Sequence, residues 1–150
     1  MKGELSGGCL CGAVRYRLAV GFRLNPYACH CTDCQSRTGS AFSEHMLFSL
    51  DDISIEGETD CGHYTQPSGI EASITGCPQC KARIYATNPS RPGLASLRCG
   101  TLDKSHELEL AAHIWVKSKQ PWISLPDGTK TMDEAPQTSQ EWVELLGVVG

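Results

Sequence analysis

The segment GCLCGAVRYRL, residues 8–18, combines two possible metal ligands with the hydrophobic pattern of a β-strand. Its first half holds Cys9 and Cys11. Its second half alternates between apolar and basic side chains, with Val14, Tyr16 and Leu18 against Arg15 and Arg17. A period of two is typical of a strand that buries one face. The segment therefore predicts a strand that follows directly on a pair of cysteines.

Three later segments repeat this period of two. They are Ile53 with Ile55, then Ile70, Ala72 and Ile74, and finally Leu108, Leu110, Ala112, Ile114 and Val116. The last segment has the longest alternation, and it predicts a fourth strand over residues 108–116.

Helical patterns are scarce in this sequence. Thr138 and Glu141 form a capping box, which predicts a short helix near the C-terminus. A turn of helix is also expected after Cys31. Because strand patterns dominate and no β–α repeat occurs, the predicted fold class is all-β, with mainly antiparallel sheets.

Length and composition are those of one ordinary globular domain. The chain has 150 residues, of which 40% are hydrophobic and 20% are charged, so most of it is expected to fold. The most linker-like stretch is PDGTKT, residues 126–131. We therefore assign residues 1–125 to the main domain and residues 126–150 to a C-terminal extension that packs on it.

The charge balance and the N-terminus restrict the partners of the protein. Thirteen basic and 17 acidic residues give a formal net charge of -4, which disfavours nucleic acid as a partner. No apolar run approaches the roughly 18 residues that span a bilayer, so no membrane partner is expected. Residues 1–8 lack the apolar region of a signal peptide. We expect a cytoplasmic protein.

Nine cysteines are the unusual feature of the composition. Disulfides seldom persist in a reducing compartment, so closely spaced cysteines there indicate metal ligands or redox groups. Seven of the nine fall into three tight groups, which are Cys9 and Cys11, then Cys29, Cys31 and Cys34, then Cys77 and Cys80.

The first and third groups supply two thiolates each. Together Cys9, Cys11, Cys77 and Cys80 could form a closed tetrahedral zinc site of the structural kind. Such a site would close a long loop of the chain. Because folding and metal binding are then one equilibrium, a structural zinc contributes on the order of 10 kcal/mol.

The middle group offers three cysteines, Cys29, Cys31 and Cys34, with no fourth cysteine beside them. Catalytic zinc sites keep an open coordination position, whereas structural sites are closed. A soft three-thiolate site would accept a further thiolate from outside, so a small thiol is a natural substrate. We therefore predict a catalytic zinc at these three cysteines.

The remaining candidate residues have less specific patterns. Cys61 and Cys99 are expected to be free of metal, although either could close the middle site. His30 stands between two proposed ligands and is expected to be exposed or to contact a ligand, rather than to bind the metal. Arginine side chains at positions 15, 37 and 83 are candidates to neutralise an anionic ligand.

Two other cysteine chemistries fit this sequence poorly. A thioredoxin-like use of Cys77 and Cys80 requires a βαβ setting, which the strand patterns do not provide. A zinc deaminase requires a His-x-Glu motif, and the sequence contains none.

Four blocks, within about residues 7 to 122, form a further pattern: GCLCGAVRY (8–16), CHCTDC (29–34) continuing into GSAF (39–42), CPQC (77–80), and GTLD (100–103) with HIW (113–115) and PW (121–122). In these four blocks the chain resembles the glutathione-dependent formaldehyde-activating enzymes, known as the GFA or CENP-V/GFA domain family. The resemblance implies a zinc-binding β-tent fold over residues 1–125.

The resemblance also implies a zinc assignment and a reaction. It places a structural zinc on Cys9, Cys11, Cys77 and Cys80, and a catalytic zinc on Cys29, Cys31 and Cys34. The family reaction joins glutathione and formaldehyde reversibly to S-hydroxymethylglutathione and is classed as a carbon–sulfur lyase activity. Two alternatives remain, a non-enzymatic zinc module that binds another protein and a carrier that binds glutathione without catalysis.

The sequence departs from the family pattern beside the third cysteine group. Family members commonly carry an aromatic residue before the first cysteine of this pair and a glycine after the second. This chain has Gly76 and Lys81 at those positions. Because glycine eases a backbone turn, we expect an altered local geometry there, with Lys81 near the thiolates.

Overall fold

The computed structural model describes residues 2–66 and 68–150. The strands within these ranges are β1 (Leu5–Gly8), β2 (Arg15–Leu18), β3 (Tyr27–Cys29), β4 (Ser43–Ser49), β5 (Ile53–Glu56), β6 (Asp60–Thr65), β7 (Glu71–Gly76), β8 (Arg83–Thr87), β9 (Leu94–Arg98), β10 (Ala112–Ile114) and β11 (Lys130–Thr131). The α-helices are α1 (Thr32–Thr38) and α2 (Ser139–Leu146).

The strands form two sheets. The small sheet has the order β1-β2-β5, and the large sheet has the order β11-β10-β3-β4-β9-β8-β7-β6. Strand β10 pairs in parallel with both β3 and β11, whereas the other pairings between these strands are antiparallel. The predicted all-β class, with mainly antiparallel sheets and a short C-terminal helix, is confirmed.

The main hydrophobic core lies between the two sheets. In β2, the side chains of Tyr16 and Leu18 are buried and those of Arg15 and Arg17 are exposed, as the alternation predicts. The two buried side chains pack in one cluster with residues from β4, β8 and β9, including Met46, Phe48, Ile84 and Leu97. Each large apolar side chain in such a core contributes about 1.5–3 kcal/mol through burial.

A second core cluster holds the C-terminal helix against the large sheet. Leu146 of α2 is buried in one cluster with Leu24 and Tyr27, and the ring of Trp142 lies 5.1 Å from that of Tyr27. The boundary expected after residue 125 stays a prediction, but these contacts place α2 directly on the strands that precede the three-cysteine group.

The predicted long strand over residues 108–116 is wrong in its extent. Strand β10 covers only Ala112–Ile114. A 3-10 turn occupies Ser105–Glu107, and residues 108–111 after it form no strand. Trp115, the residue after β10, has a left-handed backbone with φ 57°. A left-handed residue cannot continue a pleated strand, so β10 ends at Ile114 although the apolar alternation continues to Val116.

The two helix predictions are confirmed. Helix α1 begins directly after Cys31 and runs over seven residues. Helix α2 has Thr138 as its N-cap, whose Oγ1 accepts a hydrogen bond from the Glu141 amide at 3.1 Å. None of the helices in the described part of the chain is long and apolar enough to cross a bilayer.

The N-cap of α2 can be tested by mutation. Replacing Thr138 by Ala removes the acceptor for the Glu141 amide, and the free energy of unfolding is expected to fall by about 1 kcal/mol. Urea denaturation followed by circular dichroism measures the change. The Ser139→Ala variant is the control, because Ser139 is exposed and lies one residue beyond the cap. Equal losses in the two variants would contradict the capping assignment.

Candidate metal centres

Four cysteines from distant parts of the chain meet in one cluster, which we call the four-cysteine cluster: Cys9, Cys11, Cys77 and Cys80. The first two lie between β1 and β2 of the small sheet, and the last two lie between β7 and β8 of the large sheet. All four sulfur atoms lie within 4.8 Å of one another. The sequence-predicted residues are therefore brought together.

The sulfur spacing of the four-cysteine cluster fits tetrahedral zinc. The Sγ atom of Cys11 lies 3.7 Å from the Sγ atoms of both Cys9 and Cys77. A tetrahedron with zinc–sulfur bonds of about 2.3 Å has sulfur–sulfur edges of about 3.8 Å. The cluster could thus hold zinc with its sulfur atoms near their observed places.

Backbone amides stabilise the thiolate form in this cluster. The Val14 amide donates to the Sγ atom of Cys9 at 3.2 Å, and the amide of Gln79 donates to that of Cys77 at 3.4 Å. Hydrogen bonds from the backbone of Ala82 and then of Cys11 help to lower the pKa of the Cys80 thiol to about 6. Metal ligation requires the thiolate, so these bonds favour binding.

Lys81 adopts an unusual backbone conformation directly after the four-cysteine cluster. Its φ is 65°, in the left-handed region that favours glycine. The turn is held by hydrogen bonds from the Lys81 amide to the Cys77 carbonyl, at 3.0 Å, and from the Cys77 amide to the Ala82 carbonyl, at 2.9 Å. A Cβ atom on Gly76 would lie 2.4 Å from the Ala82 carbonyl oxygen, so this tight turn requires glycine at position 76.

The other cluster, which we call the three-cysteine cluster, contains Cys29, Cys31 and Cys34. Cys29 ends β3, Cys31 is the N-cap of α1, and Cys34 lies in the first turn of that helix. The Cys31 sulfur accepts a hydrogen bond from the Cys34 amide at 3.3 Å. The strand end and the helix start therefore bring the three sulfur atoms within 4.8 Å of one another.

Within residues 2–66 and 68–150, no further His, Cys, Asp or Glu side chain joins the three-cysteine cluster as a fourth ligand. Cys99 is buried in the main core, and Cys61 is exposed on β6. Hydrogen bonds from the side chains of Cys29 and Cys34 lower the pKa of the Cys31 thiol. The donor set suits a soft ion with one free coordination position.

His45 contacts the three-cysteine cluster and was missed by the sequence analysis. Its Nε2 atom lies 3.9 Å from the Sγ atom of Cys34, and its Nδ1 atom lies 2.7 Å from Nη1 of Arg98. Because a guanidinium only donates, Nδ1 accepts and the ring proton sits on Nε2, facing the Cys34 sulfur. Burial lowers the pKa of His45, so the ring is neutral. No local sequence signal marks this contact, which depends on the pairing of His45 with Arg98 across β4 and β9.

His30 is fully buried, so of the two alternatives expected for it, the exposed one is wrong. Its Nε2 atom lies 2.8 Å from Nδ1 of His113, and its ring packs 5.0 Å from that of Phe42. Neither histidine belongs to a cysteine cluster. This histidine pair instead packs the strand end that carries Cys29 against β10.

A cavity of about 280 Å³ opens beside Cys34. Arg37, Lys81, Arg83 and Arg98 line it together with Cys34. Arg37 and Arg83, two of the three arginines proposed from the sequence to neutralise an anionic ligand, therefore line this cavity. The third, Arg15, instead donates to Asp103 at 2.8 Å. Arg98 was missed because β9 is distant in sequence from the cysteine groups.

The family comparison covers the part of the chain that contains both clusters. The profile of the glutathione-dependent formaldehyde-activating enzyme family matches residues 4–118, which cover all seven clustered cysteines. The chain belongs to this family. Within the family pattern, its Lys81 stands where glycine is common, and the structure gives Lys81 the backbone conformation of a glycine.

One solved structure has a similar fold. A Rhodobacter sphaeroides protein, determined as a structural-genomics target, superposes with a TM-score of 0.50 at 16% sequence identity. The match covers 85% of this chain and 99% of that chain. At this identity the likeness concerns the fold alone. None of the curated proteins matches this sequence.

The left-handed backbone at Lys81 predicts a gain in stability on replacement by glycine. A left-handed conformation costs a residue with a side chain about 1–2 kcal/mol, so Lys81→Gly is expected to raise the free energy of unfolding by about 1 kcal/mol. The Lys81→Ala variant removes the charge but keeps the backbone strain, and it is expected to show no such gain. Urea denaturation at a fixed zinc concentration measures both. A gain in Lys81→Ala as large as in Lys81→Gly would attribute the effect to charge.

Proposed function

We propose that this protein is a zinc-dependent carbon–sulfur lyase that makes and breaks the adduct of a small thiol, glutathione, with formaldehyde or a related aldehyde. One observation carries this proposal: among the described residues, a cluster of three cysteines without a fourth ligand lies beside an open cavity, while a second cluster has its complete set of four. Family membership supports the thiol and the aldehyde. We keep the cytoplasm as the expected compartment.

Each cluster has a distinct proposed role. Cys9, Cys11, Cys77 and Cys80 would hold a structural zinc, and Cys29, Cys31 and Cys34 would hold a catalytic zinc. A zinc ion with a free position acts as a Lewis acid, which lowers the pKa of a thiol and favours its thiolate at neutral pH. The three cysteines are accordingly the catalytic residues that we propose.

Residues around the three-cysteine cluster would position the reacting groups. The Nε2–H group of His45 faces the Cys34 sulfur, and Arg98 and Ser96 hold the ring through Nδ1. These contacts place an N–H donor against Cys34 at the edge of the cavity. A thiol and an aldehyde held there would react as neighbours, which reduces the entropic cost of their meeting.

The reaction balances without a further reactant. The thiol sulfur forms a bond to the aldehyde carbon, the π-electron pair of the carbonyl moves to oxygen, and the proton from the thiol ends on that oxygen. The reverse step breaks the carbon–sulfur bond and returns the thiol and the aldehyde.

The two clusters predict different results when their cysteines are replaced. In Cys77→Ser, the four-cysteine cluster loses a ligand, and the protein is expected to unfold or to lose most of its stability, because a structural zinc contributes on the order of 10 kcal/mol. Cys31→Ser is expected to keep the native circular dichroism spectrum with one zinc per chain. Zinc analysis by mass spectrometry checks both. An unfolded Cys31→Ser protein would defeat the division of roles.

The three-cysteine cluster also predicts the catalytic effect of Cys31→Ser. Two-dimensional exchange NMR on glutathione and formaldehyde at equilibrium measures the exchange rate of the adduct. The intact protein is expected to accelerate this exchange, and Cys31→Ser is expected to return it to the rate without protein. Cys61→Ser is the control, because Cys61 is exposed and lies outside both clusters.

The outcomes of this experiment also distinguish the alternative functions. A carrier would bind glutathione without changing the exchange rate. A zinc module for protein interaction would neither bind glutathione nor change the rate. Acceleration that survives in Cys31→Ser would contradict the proposed catalytic site.

A further inference from the structure

The cavity beside Cys34 continues as a second cavity toward the four-cysteine cluster. Three residues, Arg37, Lys81 and Arg83, line both cavities. The first cavity reaches Cys34 of the three-cysteine cluster, and the second reaches Cys77 of the four-cysteine cluster. A strip of basic side chains therefore runs between the two clusters.

These basic side chains have no acidic partners among the residues that the structure describes. Arg37, Lys81, Arg83 and Arg98 form no ion pair within 4.0 Å, whereas Arg15 and Lys117 elsewhere in the chain each pair with a carboxylate. The second cavity has one acidic lining residue, Asp60, and the first has none. The wall of the cavity beside Cys34 thus carries basic side chains and no carboxylate, with one sulfur of the three-cysteine cluster at its end.

Two of these groups are held in place by other side chains. The guanidinium of Arg37 stacks 3.2 Å from the ring centre of Tyr64. Arg98 donates to Nδ1 of His45, and burial lowers the pKa of Arg98. A guanidinium removed from water without a carboxylate beside it is costly, and an anionic ligand would offset that cost. This cost falls on the half-buried Arg98, whereas Arg83 is exposed, so the two residues line the cavity with and without a desolvation cost.

Lys81 supplies the second, independent observation. It holds a strained left-handed backbone where glycine would be free of strain, and its side chain lines both cavities. Strained residues persist where the surrounding structure fixes them, and they concentrate at functional sites. The hydrogen bonds of the Cys77–Ala82 turn fix Lys81 in this way. The turn that presents two ligands to the four-cysteine cluster thereby presents a cation to the other cluster's cavity.

We propose that Lys81, Arg37 and Arg83 form a carboxylate subsite that selects thiols carrying a carboxylate group for the three-cysteine cluster. This inference rests on the proposed function. The thiol sulfur would lie at the Cys34 end of the cavity and its carboxylate at the basic strip. Arginine forks match the planar carboxylate, and a cavity of about 280 Å³ suits a small thiol.

A different explanation of the same charges is that they only offset the negative charge of the thiolate clusters. In that case their removal would weaken metal binding, and it would weaken the binding of charged and neutral thiols equally. The carboxylate subsite instead requires that their removal leave metal binding intact and abolish the preference for a carboxylate. The experiment therefore measures metal content and thiol preference in the same variants.

Cobalt(II) in place of zinc gives a readout that does not depend on activity. We would titrate cobalt-loaded protein with 3-mercaptopropionate and with its neutral counterpart 3-mercaptopropionamide, and follow the thiolate-to-cobalt absorption. The carboxylate thiol is expected to bind at least about tenfold more tightly than the amide, because charge-assisted hydrogen bonds are roughly twice as strong as neutral ones.

Two variants test the assignment to these residues. Lys81→Gln and Arg83→Gln are each expected to reduce the preference for the carboxylate thiol by about tenfold, with an unchanged cobalt content and an unchanged affinity for the amide. Lys104→Gln is the matched control, because Lys104 is exposed and lines neither cavity. Arg83→Gln keeps the test valid if the strained position 81 tolerates substitution poorly.

The possible failures are distinguishable. Equal binding of the two thiols by the intact protein would overturn the carboxylate subsite and leave the proposed function standing. A loss of cobalt, or an equal loss of affinity for both thiols, in the two variants would overturn it in favour of simple charge compensation. A cobalt spectrum that neither thiol changes would overturn the proposed function together with the subsite.

Discussion

The convergence of four thiolates between the two sheets is the constraint on which the rest of this structure depends. Cys9 and Cys11 lie in the connection between β1 and β2 of the small sheet, and Cys77 and Cys80 lie in the turn between β7 and β8 of the large sheet. A tetrahedral ion tolerates little variation in sulfur spacing, and the observed 3.7 Å edges already meet its requirement. The hydrophobic core holds the two sheets together, and a metal bound at this cluster would fix the connection between β1 and β2 against one particular turn.

That fixed turn connects structure to chemistry. The strand that follows it, β8, begins with Arg83, and the turn itself contains Lys81, so both reach the cavity beside Cys34. The residues of the three-cysteine cluster lie on other elements, at the end of β3 and in the first turn of α1. Helix α2 packs against this region through Leu146 and Trp142, which lie in one cluster with Cys29. In our account, one cluster maintains the walls of the cavity in which the other acts.

The sequence predicted the parts of the site that depend on local spacing. The three-cysteine cluster follows from short intervals between ligands, and the four-cysteine cluster follows from two close pairs that together supply four ligands. The helix after Cys31 and the cap at Thr138 follow from local signals. The contact of His45 with Arg98 and Cys34 could not be predicted, because it depends on the register of β4 against β9. The strand expected over residues 108–116 is shorter than its apolar alternation, because residues 108–111 follow a 3-10 turn without forming a strand and the left-handed Trp115 ends β10.

The central claim is that the three-cysteine cluster holds a zinc ion whose fourth position accepts a thiol. X-ray absorption at the zinc edge, on protein loaded with two zinc ions per chain, measures the sulfur ligands directly. Four ligands in one site and three in the other give an average of about 3.5 sulfur atoms per zinc, and glutathione is expected to raise this average to about 4. An average of 4 before glutathione is added, or an average of 3.5 that glutathione leaves unchanged, would contradict the account.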